Sequence, residues 1–197
     1  RIPIQLQCTK LRTCYTRLFA PVDYAPLHSL RHLSMETYDQ FGLDCEMLPS
    51  TLAELWLTTH SPHRLFRNCP LPADLQKLSI LCASPNHYSY ALSANDLPTG
   101  LRMFRIVGTV AQSFTCTPLL PNTITHLLLL HRFVHAQDHD VIAQHALPDD
   151  LTHLILGTAF RHRVERGHLP AKLTHLMVGS RFKAPLEQCV WPATLQC

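Results

Sequence analysis

The chain has 197 residues, 46% of them hydrophobic and only 16% charged, so it can bury a large core and wholesale disorder is not expected. Its net charge is +3 with histidine counted as neutral, and the basic residues form no block, which argues against nucleic acid and anionic membrane as partners. No apolar run approaches the ~18 residues that cross a bilayer, so we expect no membrane span.

An apolar residue followed by proline recurs along the whole sequence. Successive prolines lie 22 to 27 residues apart, within the range of leucine-rich repeats. This spacing predicts a single repeat solenoid over residues 1–197, and the motif that breaks off at the last residues predicts a piece of a longer chain. The nine repeat starts are predicted near residues 2, 25, 48, 71, 97, 120, 147, 169 and 191.

Apolar residues three, six and eight places after each proline predict a short strand whose alternate side chains point into a core. The first repeat is irregular, because Thr9 stands where the second apolar residue is expected. The second repeat is shifted by one residue, to Leu30, Leu33 and Met35. Six complete sets follow: Leu52, Leu55 and Leu57; Leu75, Leu78 and Ile80; Leu101, Phe104 and Ile106; Ile124, Leu127 and Leu129; Leu151, Leu154 and Leu156; Leu173, Leu176 and Val178.

One such unit cannot bury its own apolar edge, whereas stacked units share a core. Proline donates no hydrogen bond and has a fixed φ, so it suits the turn that leads into each strand. We therefore predict a leucine-rich-repeat-like solenoid with a parallel β-sheet of about eight short strands, one per repeat. Its convex side is predicted to be mostly irregular or 3-10 in structure.

The last two complete repeats share a longer motif. Residues 147–157 and 169–179 both read Leu-Pro-x-x-Leu-Thr-His-Leu-x-x-Gly, and a phenylalanine, Phe160 or Phe182, follows three residues after the glycine. This pattern closely resembles the FNIP repeat, although a basic residue follows each phenylalanine where that family has asparagine. The resemblance implies a leucine-rich-repeat-like solenoid for protein contacts, found mainly in amoeboid protists and their giant viruses. It is sometimes attached to an F-box that recruits a ubiquitin ligase.

Outward residues at equivalent positions should stack into ladders from strand to strand. The first ladder is predicted as Cys8, His32, Glu54, Lys77, Met103, His126, His153 and His175. The central ladder is predicted as Lys10, Ser34, Trp56, Ser79, Arg105, Leu128, Ile155 and Met177. The second half of this face is apolar with a histidine border, which is typical of a protein-binding patch. The predicted partner-binding residues are Trp56, Met103, Arg105, His126, Leu128, His153, Ile155, His175 and Met177; the alternative is that another part of a longer chain covers them.

The three stacked histidines, His126, His153 and His175, do not converge on a tetrahedral metal, so we expect no metal and no other cofactor. Imidazoles about 5 Å apart cannot all carry charge without repulsion, so we predict that the C-terminal repeats loosen below about pH 6. Further histidines in the long sixth repeat, at 131, 135 and 139, would share one face of a helix. Without a second ligand cluster, a solvated insert is the preferred interpretation there.

The eight cysteines show neither C-x-x-C pairs nor zinc-ligand spacing, and they are too sparse for a disulfide scaffold. Free thiols in a reducing compartment, the cytoplasm, are expected, with disulfides left open by the even count. No nucleophile elbow, phosphate loop or paired carboxylates occur, so we predict no enzyme. The predicted function is a protein-interaction module, and the FNIP resemblance implies substrate recognition in an F-box-type ubiquitin-ligase adaptor. The alternative is a structural array that self-associates through uncapped ends.

Overall fold

The computed structural model describes residues 13–18, 23–37, 43–60, 66–67, 70–83, 96–110, 120–133, 142–158, 160 and 163–196; for 13–18, 67, 109–110 and 131–133 it describes the backbone only. Short β-strands alternate with turns along these ranges, and no α-helix occurs within them. The strands are β1 Thr13–Leu18, β2 His32–Thr37, β3 Leu43–Asp44, β4 Glu54–Thr59, β5 Phe66–Arg67, β6 Lys77–Cys82, β7 Met103–Val110, β8 His126–Phe133, β9 His153–Leu156 and β10 His175–Val178.

Eight of the strands form one parallel sheet in chain order, β1-β2-β4-β6-β7-β8-β9-β10. The first residues of successive strands pair with one another, so that Glu54 pairs with Lys77, Lys77 with Met103 and Met103 with His126. One strand per repeat in constant register is the geometry of a leucine-rich-repeat-like solenoid. The predicted fold class is confirmed, with eight strands in the main sheet.

A β-turn that begins at proline precedes each regular strand. The amide of Leu52 donates to the carbonyl of Pro49, and the same bond recurs at 3.1 Å in the repeats of Pro72, Pro98, Pro121, Pro148, Pro170 and Pro192. In the second repeat the bond runs from Leu30 to Leu27 at 2.8 Å, so the turn begins one residue after Pro26. This offset confirms the predicted shift of the second repeat and gives its cause.

The apolar residues predicted at the three inward positions form the core. From the second repeat through the seventh they are at most 2% exposed, and the first inward residue of the eighth, Leu173, is fully buried. Burial of each such side chain contributes roughly 1.5–3 kcal/mol. In β10, however, Leu176 and Val178 are only half-buried, whereas their β9 counterparts Leu154 and Leu156 are 0% and 2% exposed.

The predicted register of the first repeat was wrong. Thr13 pairs with His32, and Tyr15 pairs with Ser34, so the first strand lies downstream of the expected ladder residues Cys8 and Lys10. Those two residues lie outside the described part of the chain. Thr9 already interrupts the apolar pattern in this repeat. The register of the first strand is instead set by its pairing with β2, through residues that the apolar pattern does not indicate.

Outside the main sheet, the described residues combine turns with short regular pieces. These include the 3-10 helices Cys45–Met47 and Leu186–Gln188, in agreement with the predicted irregular or 3-10 structure between strands. A two-stranded parallel sheet of β3 and β5 was not predicted, because strands of two residues are too short to show periodicity. Among the described residues, no helix has the length and apolar character that a membrane crossing requires.

Candidate partner-binding face

Alternate residues of each main-sheet strand form columns on the outward face. The first column contains His32, Glu54, Lys77, Met103, His126, His153 and His175. The second column contains Ser34, Trp56, Ser79, Arg105, Leu128, Ile155 and Met177. All nine residues predicted to bind a partner therefore lie on one face, in the two columns that the sequence pattern predicts from the second repeat onward.

The N-terminal half of the first column is internally paired. Lys77 Nζ donates to Glu54 Oε1 at 2.6 Å, and His32 Nδ1 lies 3.2 Å from Glu54 Oε2. The hydrogen bond from Lys77 lowers the pKa of Glu54, partly opposed by burial of the carboxylate, and His32 lowers it further. Because these charges satisfy one another, this half offers few free polar groups to a partner.

In the second column, an arginine covers the polar centre of the sheet. Arg105 Nη1 donates to Ser79 Oγ at 3.4 Å, and Ser79 is only 6% exposed. Trp56, on the other side of Ser79, is 39% exposed. The tryptophan and the arginine thus flank a buried serine, and both are residue types that are enriched in protein interfaces.

The C-terminal half of the second column is apolar. Leu128 and Ile155 are half-buried, and Met177 is 62% exposed, the largest exposed fraction recorded among large hydrophobic residues in the described part of the chain. The three follow one another in register on β8, β9 and β10. They form a continuous apolar stripe at one end of the sheet.

A third column widens this apolar area and was missed in the sequence. Leu81, Val107 and Leu130 pair in register on β6, β7 and β8, and Leu81 is 39% exposed. The signal was present, because all three residues stand nine places after their proline. It was overlooked because only two outward positions per strand were considered.

The three C-terminal histidines of the first column form a stack, called here the histidine column. The ring centroids of His126 and His153 are 4.2 Å apart with planes 9° from parallel, and those of His153 and His175 are 4.2 Å apart with planes 6° from parallel. His126 and His175 are exposed, while His153 between them is half-buried. Burial lowers the pKa of His153, and the charges of His126 and His175 lower it further.

A threonine precedes each of these histidines and contacts its ring. The Thr Oγ1 to His Nδ1 distances are 3.0 Å for Thr125 and His126, 2.9 Å for Thr152 and His153, and 2.8 Å for Thr174 and His175. Each Oγ1 also donates to a backbone carbonyl of the repeat before it. The Thr-His pair thus orients the ring and ties neighbouring coils together.

Near-parallel rings do not direct their nitrogen lone pairs at one point, which a tetrahedral metal would require. Among the described residues, no group of three or more His, Cys, Asp or Glu side chains is arranged to hold a metal ion. Of the further histidines in the long sixth repeat, the backbone of His131 lies in strand β8 and not in a helix. Its side chain, together with His135 and His139, lies outside the described residues.

The Gly-x-x-Phe motif of the last two complete repeats forms equivalent turns. The amides of Phe160 and Phe182 donate to the carbonyls of Gly157 and Gly179 at 3.3 Å and 3.0 Å. A Cβ at Gly179 would lie 2.7 Å from the carbonyl oxygen of Gly157, so the close approach of the coils requires glycine. The two phenylalanine rings stack with centroids 5.6 Å apart, so equivalent residues of neighbouring repeats also stack outside the main sheet.

The parallel sheet with one strand per coil, the recurrent proline turn and the leucine core decide the fold. The chain is a leucine-rich-repeat-like solenoid. Among solved structures it is similar to one described as "The crystal structure of CroV588 a novel circular LRR protein structure", at a TM-score of 0.42 and 21% identity. That similarity covers 85% of this chain and 31% of the other, so the chain spans about a third of that protein's length. No protein-family model and no curated protein matches the chain.

Proposed function

We propose that this chain is a non-enzymatic protein-interaction module that binds a protein partner through the C-terminal half of its outward face. The observation that carries the proposal is the apolar stripe of Leu128, Ile155 and Met177 beside the histidine column, with Met177 62% exposed. Exposed apolar patches with a polar border are characteristic of protein interaction sites.

The rigidity of the platform supports this function. The strands below the stripe are fixed by core residues such as Leu127 and Leu154, both fully buried. Side chains on regular, packed strands keep their geometry in the free protein, so little ordering cost is added on binding. The paired charges of the N-terminal half would then form the polar margin of the contact.

Charge substitutions in the stripe test this function. We expect Ile155→Glu and Met177→Glu to abolish capture of a partner from cell extract, because a carboxylate would be buried against the partner. Val190→Glu is the matched control, since Val190 is an apolar residue that is 49% exposed but lies outside the columns. A protein retained by the wild type and by Val190→Glu, but lost by both stripe variants, supports the proposal. Retention by all variants contradicts it.

The finer role we propose is substrate recognition within an F-box-type ubiquitin-ligase adaptor in the cytoplasm, as the resemblance to the FNIP repeat implies. The free thiols of Cys82 and Cys189 suit a reducing compartment. A stripe-dependent partner that becomes ubiquitinated in extract, and that accumulates when the proteasome is inhibited, supports this role. A stripe-dependent partner that is never ubiquitinated leaves the binding function but removes the adaptor role.

Self-association is the second candidate, favoured by one observation at the sheet edge. β10 ends the strand order of the main sheet, and its inward residues Leu176 and Val178 are half-buried where their counterparts in β9 are buried. Light scattering at rising protein concentration separates the two functions. If the particle mass rises with protein concentration, and Leu176→Glu prevents this rise, self-association is favoured. A mass that stays at that of a monomer favours binding to a different protein.

A further inference from the structure

The threonine before each column histidine determines where the imidazole carries its proton. Thr152 Oγ1 has one hydrogen, and it lies 3.0 Å from the carbonyl oxygen of Thr125. A carbonyl oxygen can only accept, so the threonine must donate its hydrogen there. The second contact, 2.9 Å between Thr152 Oγ1 and His153 Nδ1, therefore needs a hydrogen on Nδ1.

The same arrangement occurs in all three repeats. Thr125 Oγ1 lies 3.2 Å from the carbonyl oxygen of Arg102, and Thr174 Oγ1 lies 3.0 Å from that of Thr152. Each hydroxyl also contacts the Nδ1 atom of the histidine that follows it. A neutral imidazole has a single N–H, so with Nδ1 protonated the Nε2 atoms have free lone pairs. No hydrogen bond to these Nε2 atoms is recorded within the described part of the chain.

We propose that the histidine column is a pH-operated switch in the hydrogen-bonding character of the face. Neutral rings are fixed as Nε2 acceptors, and acid converts them to charged Nε2 donors, with protonation of the central ring opposed by an imidazole on each side. The effect of this switch on binding rests on the proposed function, because it requires a protein partner at this face. At neutral pH the column accepts hydrogen bonds from N–H or O–H groups, and in acid it favours carboxylates.

The order of protonation follows from the stack. His153 has an imidazole 4.2 Å away on each side, whereas each outer ring has one such neighbour. His153 is also less exposed, and its pKa is lowered by burial and by the charges of both neighbours. A proton on His126 or His175 thus meets less repulsion and better solvation than a proton on His153.

Other charged groups near the column do not remove this difference. The charged residues described on β7 and in the turns that lead into β7, β8, β9 and β10 are Arg102, Arg105, Asp149, Asp150 and Lys172. Asp150 is ion-paired with Lys172 at 2.5 Å, and Arg105 of β7 donates to Ser79 of β6, on the side of β7 away from β8 and His126. Within the described part of the chain, no ion pair joins a carboxylate to any of the three column histidines. No neighbouring anion there compensates a second or third positive charge.

Side-chain ¹H–¹⁵N spectra of the whole chain test the inference, because the ¹⁵N shift of each ring nitrogen reports whether it carries a proton. We expect the neutral forms of all three residues to be protonated on Nδ1, although an imidazole in water prefers Nε2. In a titration from about pH 8 to about pH 5, His153 should have the lowest midpoint. A neutral His153 protonated mainly on Nε2, or a midpoint at or above those of the outer rings, would overturn the inference.

Substitutions at Thr152 test the role of its hydroxyl directly. Thr152→Val removes the hydroxyl at nearly constant shape and should move the neutral proton of His153 to Nε2, whereas Thr152→Ser should keep it on Nδ1. Thr123→Val is the control, because the Thr123 hydroxyl contacts the carbonyls of Thr99 and Leu101 at 2.6 Å and 2.9 Å and no histidine. If Thr152→Val does not fold, Thr174→Val makes the same comparison for His175. These spectra need no partner, so their outcome is separate from the outcome of the capture experiment.

Discussion

At the scale of single residues, Gly108 is required by the backbone of the repeat before it. Its φ is +114°, and a Cβ there would lie 2.2 Å from the carbonyl oxygen of Cys82. We expect Gly108→Ala to reduce the free energy of unfolding by at least about 2 kcal/mol, because backbone strain and a steric clash add. Urea unfolding followed by circular dichroism measures the change.

Gly167 supplies the matched control for that substitution. Its φ is +83°, but the nearest atom to an added Cβ is Gln144 Cγ at 3.8 Å. Gly167→Ala should therefore cost only about 1 kcal/mol, the strain of a left-handed residue without a clash. Equal losses in the two variants would mean that the contact with Cys82 relaxes and that the close approach of the coils is not rigid.

Burial makes the thiol of Cys82 unreactive at neutral pH. Desolvation raises its pKa to about 12, so at pH 8 roughly one thiol in ten thousand is ionised. We expect iodoacetamide to label Cys82 at least about tenfold more slowly than the half-buried Cys189 in the native protein, as read by peptide mass spectrometry. In denaturant the two rates should become similar. Equal rates without denaturant would contradict the burial of Cys82.

Residue identities alone predicted the two outward columns but not how their side chains interact. The Thr-His contacts of the histidine column were invisible, because a repeated dipeptide does not reveal that the threonine hydroxyl bridges two repeats. The cover of Ser79 by Arg105 was equally hidden, since it depends on neighbours 26 residues apart in sequence. Such contacts depend on register between strands, which only the folded sheet defines.

At the scale of elements, the position of a repeat within the stack should set the cost of a core substitution. Leu154→Ala in β9 should cost about 2–5 kcal/mol, because Leu154 is fully buried between coils. Leu176→Ala in β10 should cost less than half of that, because Leu176 is half-buried. Urea unfolding of both variants measures the difference. Met177→Ala, on the outward face, is the control and should change stability by less than about 0.5 kcal/mol.

The histidine column makes stability depend on pH. In the folded chain the pKa of His153 is below the ordinary value of 6.5, so above that pH neither the folded nor the unfolded state is protonated there and the residue has no effect. As the pH falls through 6.5 toward the folded pKa, the unfolded chain binds the proton first and stability declines. The predicted loosening of the C-terminal repeats therefore starts in this interval.

Thermal melting from about pH 8 to about pH 5 measures this decline. We expect His153→Gln to remove part of the pH dependence, and His28→Gln, at an exposed histidine outside the columns, is the control. The melting experiments stay above pH 4.5, the ordinary pKa of a glutamate, so protonation of Glu54, whose pKa is lowered in the folded chain, contributes little to the decline. If the melting temperature of His153→Gln equals that of the wild type at every pH, His153 is not the source of the pH dependence.

The elements that repeat could be predicted from sequence, and those that depart from the repeat could not. From the second repeat onward, proline spacing and inward apolar triplets gave each strand of the main sheet and its register. The first strand was misplaced because its register is set by pairing with β2 and not by its own apolar pattern. β3 and β5 were not predicted because a strand of two residues is too short to show an alternating pattern.

At the scale of the whole molecule, strand pairing within the described residues does not join β1, at one end of the main sheet, to β10 at the other. Each strand of the main sheet pairs only with its neighbours in the chain-ordered stack, so stability is close to a sum of repeat and interface contributions. Interior coils are supported from both sides, and a terminal coil from one. A globular domain with one central core would unfold as a single unit, whereas a stack can open from an end.

Native-state hydrogen exchange read by NMR or mass spectrometry should therefore reveal a gradient along the stack. We expect the slowest exchange in β6 and β7, which have strands on both sides, and much faster exchange in β10, a four-residue strand at the sheet edge. Local opening of β10 exposes little additional core because Leu176 and Val178 are already half-buried, so it costs less than opening an interior coil. Leu176→Ala should accelerate exchange in β10 and leave β6 unchanged. Uniform protection from β2 to β10 would instead mean that the repeats unfold as one cooperative unit, and the additive description of this stack would be wrong.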